Sequence, residues 1–341
     1  MRKKLIFLAV FLALAPALFA QSFAVVTFVN GWVDIRNNSG AEVEAFIGDN
    51  VFIGNSIITD RDSSAELRER ASGSTFRISP NTVFAVRERE VAGQRENVLA
   101  VAVGEVAFRV NRVAGHAPTI ATHSSVAGVR GTEFTVFSGA DGSSLIVVTE
   151  GAVDVEAFGR SVRLNPDEAV EVRAGQPPGE RIQLMGRPID FAAWNEGRRE
   201  AFLNDPVGAL RAVDRQLDYF NNRVRELYPR FLEILEEINK KRVEHGRILE
   251  EQGEEAANQF VNTILRPSMI NSIHVHLNMR YYALSALSMR RFVVGNMYAE
   301  MKSRHIARLN DPVFMEFYKL YNEVLRKFEE ITIPQISEID I

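Results

Sequence analysis

Two domains in series, an all-β half followed by an all-α helical bundle, are what this sequence predicts. Three observations carry the expectation. The chain has 341 residues, more than one ordinary domain takes. From about residue 22 to 175 its apolar residues recur at every second position, the period of strands with one buried face. Beyond residue 188 they recur at every third or fourth, the period of helices packed along one stripe.

The apolar fraction of 46% suffices for real cores. Formal net charge is −4, unevenly spread: residues 22–185 carry 15 Arg, no Lys and 21 acids, hence −6. Residues 186–341 carry 22 basic and 23 acidic groups, hence −1. Neither half has the basic excess that would neutralise phosphates, so nucleic acid is not the expected partner. With no cysteine in the chain, disulfides, thiol catalysis and Cys-based zinc sites are excluded.

Residues 1–20 read as a secretory signal peptide. Arg2-Lys3-Lys4 forms the positive end, Leu5 to Leu14 the apolar run, and Ala15-Pro16-Ala17 or Ala20 the small-residue cleavage region. The run is shorter than the ~20 residues a membrane span needs, and no later stretch is apolar for long enough. The expected location is therefore periplasmic or secreted, with no transmembrane segment in the mature chain.

The β half is expected over residues 22–175. Glu105 to Val110, Thr132 to Val136 and Ala152 to Val155 alternate cleanly. Three loosely repeated units, Gly31-Trp32-Val33, Gly104-Glu105-Val106 and Gly151-Ala152-Val153, each follow an apolar strand-like run. Asn30-Gly31 and Glu150-Gly151 read as tight hairpin turns, because glycine accepts the positive φ such turns need.

In order along the chain stand Gly31-Trp32-Val33, Ile47-Gly48-Asp49-Asn50-Val51, Ile57-Ile58-Thr59, Ala65-Glu66-Leu67, Gly73 to Ile78, Pro80-Asn81-Thr82, Gly104-Glu105-Val106, Val129-Arg130-Gly131-Thr132-Glu133-Phe134 and Glu150-Gly151-Ala152-Val153. This ordered set resembles the FecR-like domain over nearly the whole of residues 25–172. Family members commonly carry Asp where this chain has Ser72, a change expected to alter a turn. The resemblance implies an extracytoplasmic β-rich interaction module, solenoid-like in form, with a sandwich as the alternative. The anti-sigma domain and membrane helix of the family's best-studied branch have no counterpart in the sequence. Arg130-Gly131-Thr132 reads first as a fold-making turn and second as a contact point, since Arg pairs bidentately with carboxylate or sulfate.

Gln176-Pro177-Pro178-Gly179 breaks the period and is expected to open a linker over residues 176–188. The helical domain follows at 189–341. Leu210, Val213, Leu217, Phe220, Val224, Leu227, Phe231, Leu235 and Ile238 form one stripe, which Pro229 is expected to kink or split. Leu203-Asn204-Asp205-Pro206-Val207 recurs as Leu309-Asn310-Asp311-Pro312-Val313. In each, Asp suits the helix cap and Pro the first helical position. Further helices are expected from about Ala256 to Leu265, ended by Pro267, and from about Ser268 to Leu309, with a loop or frayed end between Gly246 and Gly253. A part of the stripe left exposed would serve a homo-oligomer or a helical partner.

Chemistry is sparse. His274-Val275-His276 is the one close histidine pair, and a helix would hold the two rings about 200° apart, so no metal or cofactor is expected. The sequence has no phosphate loop, nucleophile elbow or His-Glu-x-x-His motif. The reading is a non-enzymatic envelope protein whose β domain docks an envelope partner. The alternative is a cell-wall or glycan-binding module, with aromatics such as Tyr281-Tyr282 and Tyr318 to Tyr321 on a groove.

Overall fold

A computed structural model of the chain describes residues 22–91, 93–113, 118–129 and 131–338. Residues 1–20, expected as the leader, and Arg130 lie outside the described residues. The β half contains β1 (Ala24–Asn30), β2 (Val33–Arg36), β3 (Glu42–Glu44), β4 (Asn50–Val51), β5 (Ser56–Thr59) and β6 (Ser64–Glu69). Next come β7 (Thr75–Ile78), β8 (Val83–Val91), the long β9 (Gln94–Val110), β10 (Thr119–Ala121), β11 (Val126–Val129) and β12 (Thr132–Ser138). The last are β13 (Ser144–Glu150), β14 (Val153–Ala157), β15 (Arg160–Leu164), β16 (Glu168–Val172) and β17 (Pro178–Gln183).

These strands form an open sheet in two layers, and β9 belongs to both. Its residues 104–110 pair with β7 and β12 in the first layer, whose order is β4-β1-β6-β7-β9-β12-β13-β16-β17. Its residues 94–103 pair with β8 and, in parallel, with β10 in the second layer, ordered β3-β2-β5-β8-β9-β10-β11-β14-β15. Strand order within each layer follows chain order almost throughout, so the chain winds from layer to layer as it advances. The architecture thus joins the solenoid-like path to the two-layer packing of a sandwich.

One core fills the space between the layers. Phe76 and Phe108 of the first layer meet Phe84 of the second, and Phe134 stacks on Phe108, with ring centroids 5.0–6.1 Å apart. Each such pair adds roughly 1 kcal/mol to the burial of its rings. The alternation in the sequence is what aims Phe134, Val136 and Val106 inward.

The two glycine turns expected as hairpins are not hairpins. β1 pairs with β6 and β4 but not with β2, and β13 pairs with β12 and β16 but not with β14. Gly31 and Gly151 are corners where the chain leaves the first layer for the second. Gly48, Gly104 and Gly131 are corners of the opposite sense, from the second layer to the first. A positive φ serves a corner as well as a hairpin, and at Gly31, Gly104 and Gly151 the corner also passes close to a neighbouring segment. The segment expected as linker is likewise partly strand. Pro178–Gln183 pairs antiparallel with β16, Val172 facing Pro178 and Glu168 facing Gln183. Proline is tolerated there because it opens an edge strand.

The helices are α1 (Phe191–Asn204), α2 (Pro206–Gln252), α3 (Glu254–Phe260), α4 (Arg266–Met289), α5 (Gly295–Arg304), α6 (Pro312–Lys327) and α7 (Ile333–Glu338). Single π turns at Val261–Leu265, Arg290–Val294 and Phe328–Thr332 join α3 to α4, α4 to α5 and α6 to α7. Helix α2 has 47 residues, about 70 Å of length at the ordinary rise. It folds back on the α3–α5 run at Gly253, whose φ is 86°. Leu210, Val213, Leu217 and Phe220 pack near Ala286, Met289, Val293 and Met297, while Val224, Ile234 and Ile238 pack near Leu265, Val275 and Met279.

Three helix expectations need correction. Pro229 does not split α2, because the continuous contact with the returning run offsets the ~3 kcal/mol an interior proline costs. Pro267 does not end a helix either; it stands in the first turn of α4, directly after a π turn. Gly246 lies within α2, so the turn is at Gly253 alone, and the run that follows stops at Arg304 rather than Leu309. At the repeated starts, Asp205 accepts a hydrogen bond from the Gly208 amide at 2.9 Å. Asp311 accepts from Val313 and Phe314 at 3.0 and 3.3 Å, and Pro206 and Pro312 open their helices.

Candidate functional site

The motif positions are spread along the β stack. At the joint of β9, a Cβ on Gly104 would stand 2.7 Å from the Thr82 Cα, a contact no side chain survives without backbone movement. At Gly151 it would stand 2.7 Å from the Gly131 carbonyl oxygen, so two motif segments touch through their backbones. Asp49 accepts from the Phe46 amide at 2.8 Å and closes the corner that holds Gly48. Phe134 is buried against Phe108, and Thr132 is buried beside Gly151. Gly31 lies against Ser63, whose hydroxyl accepts from the Trp32 amide at 2.9 Å. Ser72 accepts from the Ser74 amide at 3.1 Å and so caps its turn with a hydroxyl.

What these corners leave uncovered is the N-terminal end of the stack. Trp32 is 58% exposed, Phe46 60% and Ile47 67%, with Phe28 and Val43 exposed as well. The corner at 45–49 is tied to β1 and β2 through Gly48 N to Val26 O and Ala45 N to Val33 O, at 2.8 Å each. Edge strand β3 and the outer part of β1 lie beside it. An apolar group of this size next to free strand edges is a surface suited to a partner.

The outer faces of the middle and later strands are covered by the helices. On the outer face of the second layer, Val98 and Ala121 pack with Tyr281 of α4. On the outer face of the first, Phe137, Leu145 and Ala169 pack with Phe191 and Trp194 of α1. Polar contacts seal the join. Arg198 of α1 reaches Asp141 in the β12–β13 loop at 3.0 Å and Glu171 of β16 at 3.3 Å. Trp194 donates to Glu171 at 3.0 Å, and the buried Gln216 of α2 accepts from the Gly175 amide at 3.1 Å. Burial works against the Glu171 charge, but Arg173, Trp194 and Arg198 outweigh it and hold the carboxyl below its usual range.

A polar cavity of about 250 Å³ lies in this join, lined among others by His123, Ser125, Arg223, Tyr219 and Tyr282. His123 is 4% exposed, its Nε2 is 3.0 Å from the Ser288 hydroxyl, and its Nδ1 has no hydrogen-bond partner among the described residues. Burial first and the Arg87 guanidinium second push its pKa down to about 3, so the ring is neutral. Burial and the neighbouring Tyr282 push the Tyr219 hydroxyl up to about 12.

The sequence did not point to His123, Arg198 or Asp141, which meet partners far along the chain. A signal for the covered face was present in Val98 to Val103, an unbroken apolar run rather than an alternating one, which marks a strand covered on both sides. His274 and His276 flank the buried Val275 on α4, and among the described residues no group of three or more His, Asp or Glu is placed to hold a metal. Tyr298, Tyr318 and Tyr321 stack on one another, with Tyr298 and Tyr321 4.4 Å apart. Of the three, Tyr298 and Tyr321 cover each other's faces, while Tyr318, 6.1 and 6.4 Å from them, is 40% exposed.

Among the described residues no helix is long and apolar enough to cross a membrane. No curated protein matches the chain. Among solved structures it is similar to two crystal structures of a "putative anti-sigma factor" from Parabacteroides distasonis, at 21% and 22% identity and TM-scores of 0.32 and 0.31. Each match takes in 37% of this chain and 57% of the other, so the chain spans less than two thirds of those proteins. Residues 55–154, from β5 to the middle of β14, match the family model described as FecR protein, and the winding two-layered half of this chain therefore contains a FecR domain.

Proposed function

We propose that this is an exported, non-enzymatic envelope protein whose β half docks an envelope protein partner. The exposed group Phe28, Trp32, Val43, Phe46 and Ile47 at the open end of the stack carries the reading. Aromatic and aliphatic side chains at a free sheet edge favour a protein partner that adds its own strand or apolar anchor. The helical hairpin supplies a second contact through Val243 and Leu249 of α2 and Ile270 and Ile273 of α4, all exposed.

The test places a photo-cross-linking residue at Ile47 of the full mature chain in its native host, with a control at Phe158 in the β14–β15 turn. One envelope protein captured from position 47, and lost when Phe46→Asp is added, supports the proposal. Capture of wall glycan alone, undiminished by Phe46→Asp, overturns it in favour of wall binding.

A further inference from the structure

A second cleft, of about 620 Å³, opens between the second layer and the helical hairpin. Its charged lining is Arg36 from β2, Arg87 from β8, and Arg290 and Arg291 from the π turn that follows α4; no carboxylate lines it. Arg36 is spoken for by Glu42 at 2.5 Å. The other three have no carboxylate partner among the described residues. Arg87 is part-buried, and its polar contact is a long one, 3.5 Å to the Ser285 hydroxyl. Arg290 lies over the Phe328 ring at 5.2 Å and Arg291 over Phe292 at 5.3 Å. Burial lowers the Arg87 pKa, and Arg280 works in the same direction.

Three guanidinium groups without a carboxylate partner line one concavity, Arg87 part-buried and Arg290 and Arg291 exposed at the rim, where an anion could meet them. Low-dielectric walls focus their field into the cleft. The backbone adds its own sign of specialisation, since π turns recur at functional sites and this one sets two of the three arginines at the rim. A single carboxylate would leave two arginines unmatched, whereas a phosphate monoester brings about two charges and three acceptor oxygens. Leu284, Leu287, Phe292 and Leu325 are among the apolar residues of the wall, beside Ser56, Ser288 and Tyr321, and they suit an apolar body behind the charged head. A cleft of this volume is in the range of small-molecule sites.

We infer that the arginine cleft binds a phosphate monoester carried on an apolar body. The ester could be a free metabolite or a lipid headgroup, and the experiment separates these sources. Thermal unfolding of the full mature chain is followed with inorganic phosphate, with dihexanoyl phosphatidic acid below its micelle concentration, and with vesicles of phosphatidylcholine containing or lacking phosphatidic acid. The expected result is a Tm rise of roughly 5 °C with saturating dihexanoyl phosphatidic acid, less with inorganic phosphate, and none in the R290Q/R291Q variant. Both residues are exposed, so the variant is expected to fold. Co-sedimentation with phosphatidic acid vesicles, also lost in R290Q/R291Q, assigns the ester to a lipid headgroup; its absence beside a Tm rise assigns a soluble ester. No Tm rise with either soluble probe, or a rise that R290Q/R291Q retains, overturns the inference, and so does vesicle binding without a response to the soluble ester.

Discussion

The open N-terminal edge of the β stack and the outer faces of its layers are built by the same winding path and treated in opposite ways. On the outer faces of the layers, from β9 to β16, Val98, Ala121, Phe137, Leu145 and Ala169 point away from the core and are still buried, because α1 and α4 lie over them. At the N-terminal edge, Trp32, Phe46 and Ile47 point away from the core and are bare. The difference teaches that the helical half covers one set of outward-facing apolar residues and leaves another bare. It also bears on dissection. A chain cut after Gln176 would uncover these outward-facing residues, at about 1.5–3 kcal/mol for each large apolar side chain, so the β half should not be treated as a free-standing module.

The largest effect is expected from Asp141→Ala, which attacks the covered faces. Asp141 and Arg198 are 8% and 15% exposed at the side chain, and Asp141 also accepts from Ser143 through its amide and hydroxyl at 3.0 Å each. Removing it leaves the guanidinium to Glu171 alone, at a cost of about 3 kcal/mol. The two tryptophans report separately, Trp32 from the bare edge and Trp194 from a covered face. In a Trp32→Phe background, Asp141→Ala should lower the urea midpoint and raise the quenching of Trp194 by acrylamide. Unchanged quenching with an unchanged midpoint would show that the ion pair does not hold α1 in place.

Acid should loosen the covered join through His123. Its folded pKa of about 3 lies below the unfolded value of 6.5. As pH falls below 6.5 the unfolded chain takes up a proton that the folded one refuses. Stability is therefore lost progressively from pH 6.5 down to about 3, where the folded ring also titrates. Between pH 7 and 5 the loss is about 2 kcal/mol. His123→Gln removes the titration, so urea unfolding at pH 7, 6 and 5 should show the wild type falling relative to the variant by that amount. Parallel pH profiles would place the acid sensitivity elsewhere.

How much of this contrast was legible in the sequence depends on the range of the interaction behind each feature. The period change near residue 176 gave the two halves, since alternation and the 3.6 repeat are local properties. The ordered glycine segments marked the right residues with the wrong geometry. Gly31 and Gly151 do take positive φ, at 71° and 84°, but whether the next strand pairs back or crosses over is decided by partners such as Ser64 and Glu168, on strands distant in sequence. Proline rules failed at Pro229 and Pro267 for a related reason. They weigh one lost hydrogen bond, while the hairpin of α2 against the α3–α5 run offsets that loss over its whole length. The arginine cleft was not legible, because its charges come from positions 36, 87, 290 and 291 and no local pattern joins them.

The smallest effect on stability is expected at the bare end, and that smallness is the sharpest form of the comparison. Ile47 is 67% exposed and sits in a corner held by Asp49 and Gly48 rather than by its own packing. Ile47→Ser should change stability by no more than about 0.5 kcal/mol, as surface substitutions do, and leave Trp194 quenching untouched. A serine at Leu145, also an outward-facing residue but one seated under α1, should cost several times as much, about 3 kcal/mol. Equal costs at the two positions would mean that residue 47 is already packed against the protein's own chain, and the open end would lose its claim to be a docking surface. Unequal costs would leave the apolar side chains at the N-terminal edge with no internal use, which is the condition a partner site has to meet.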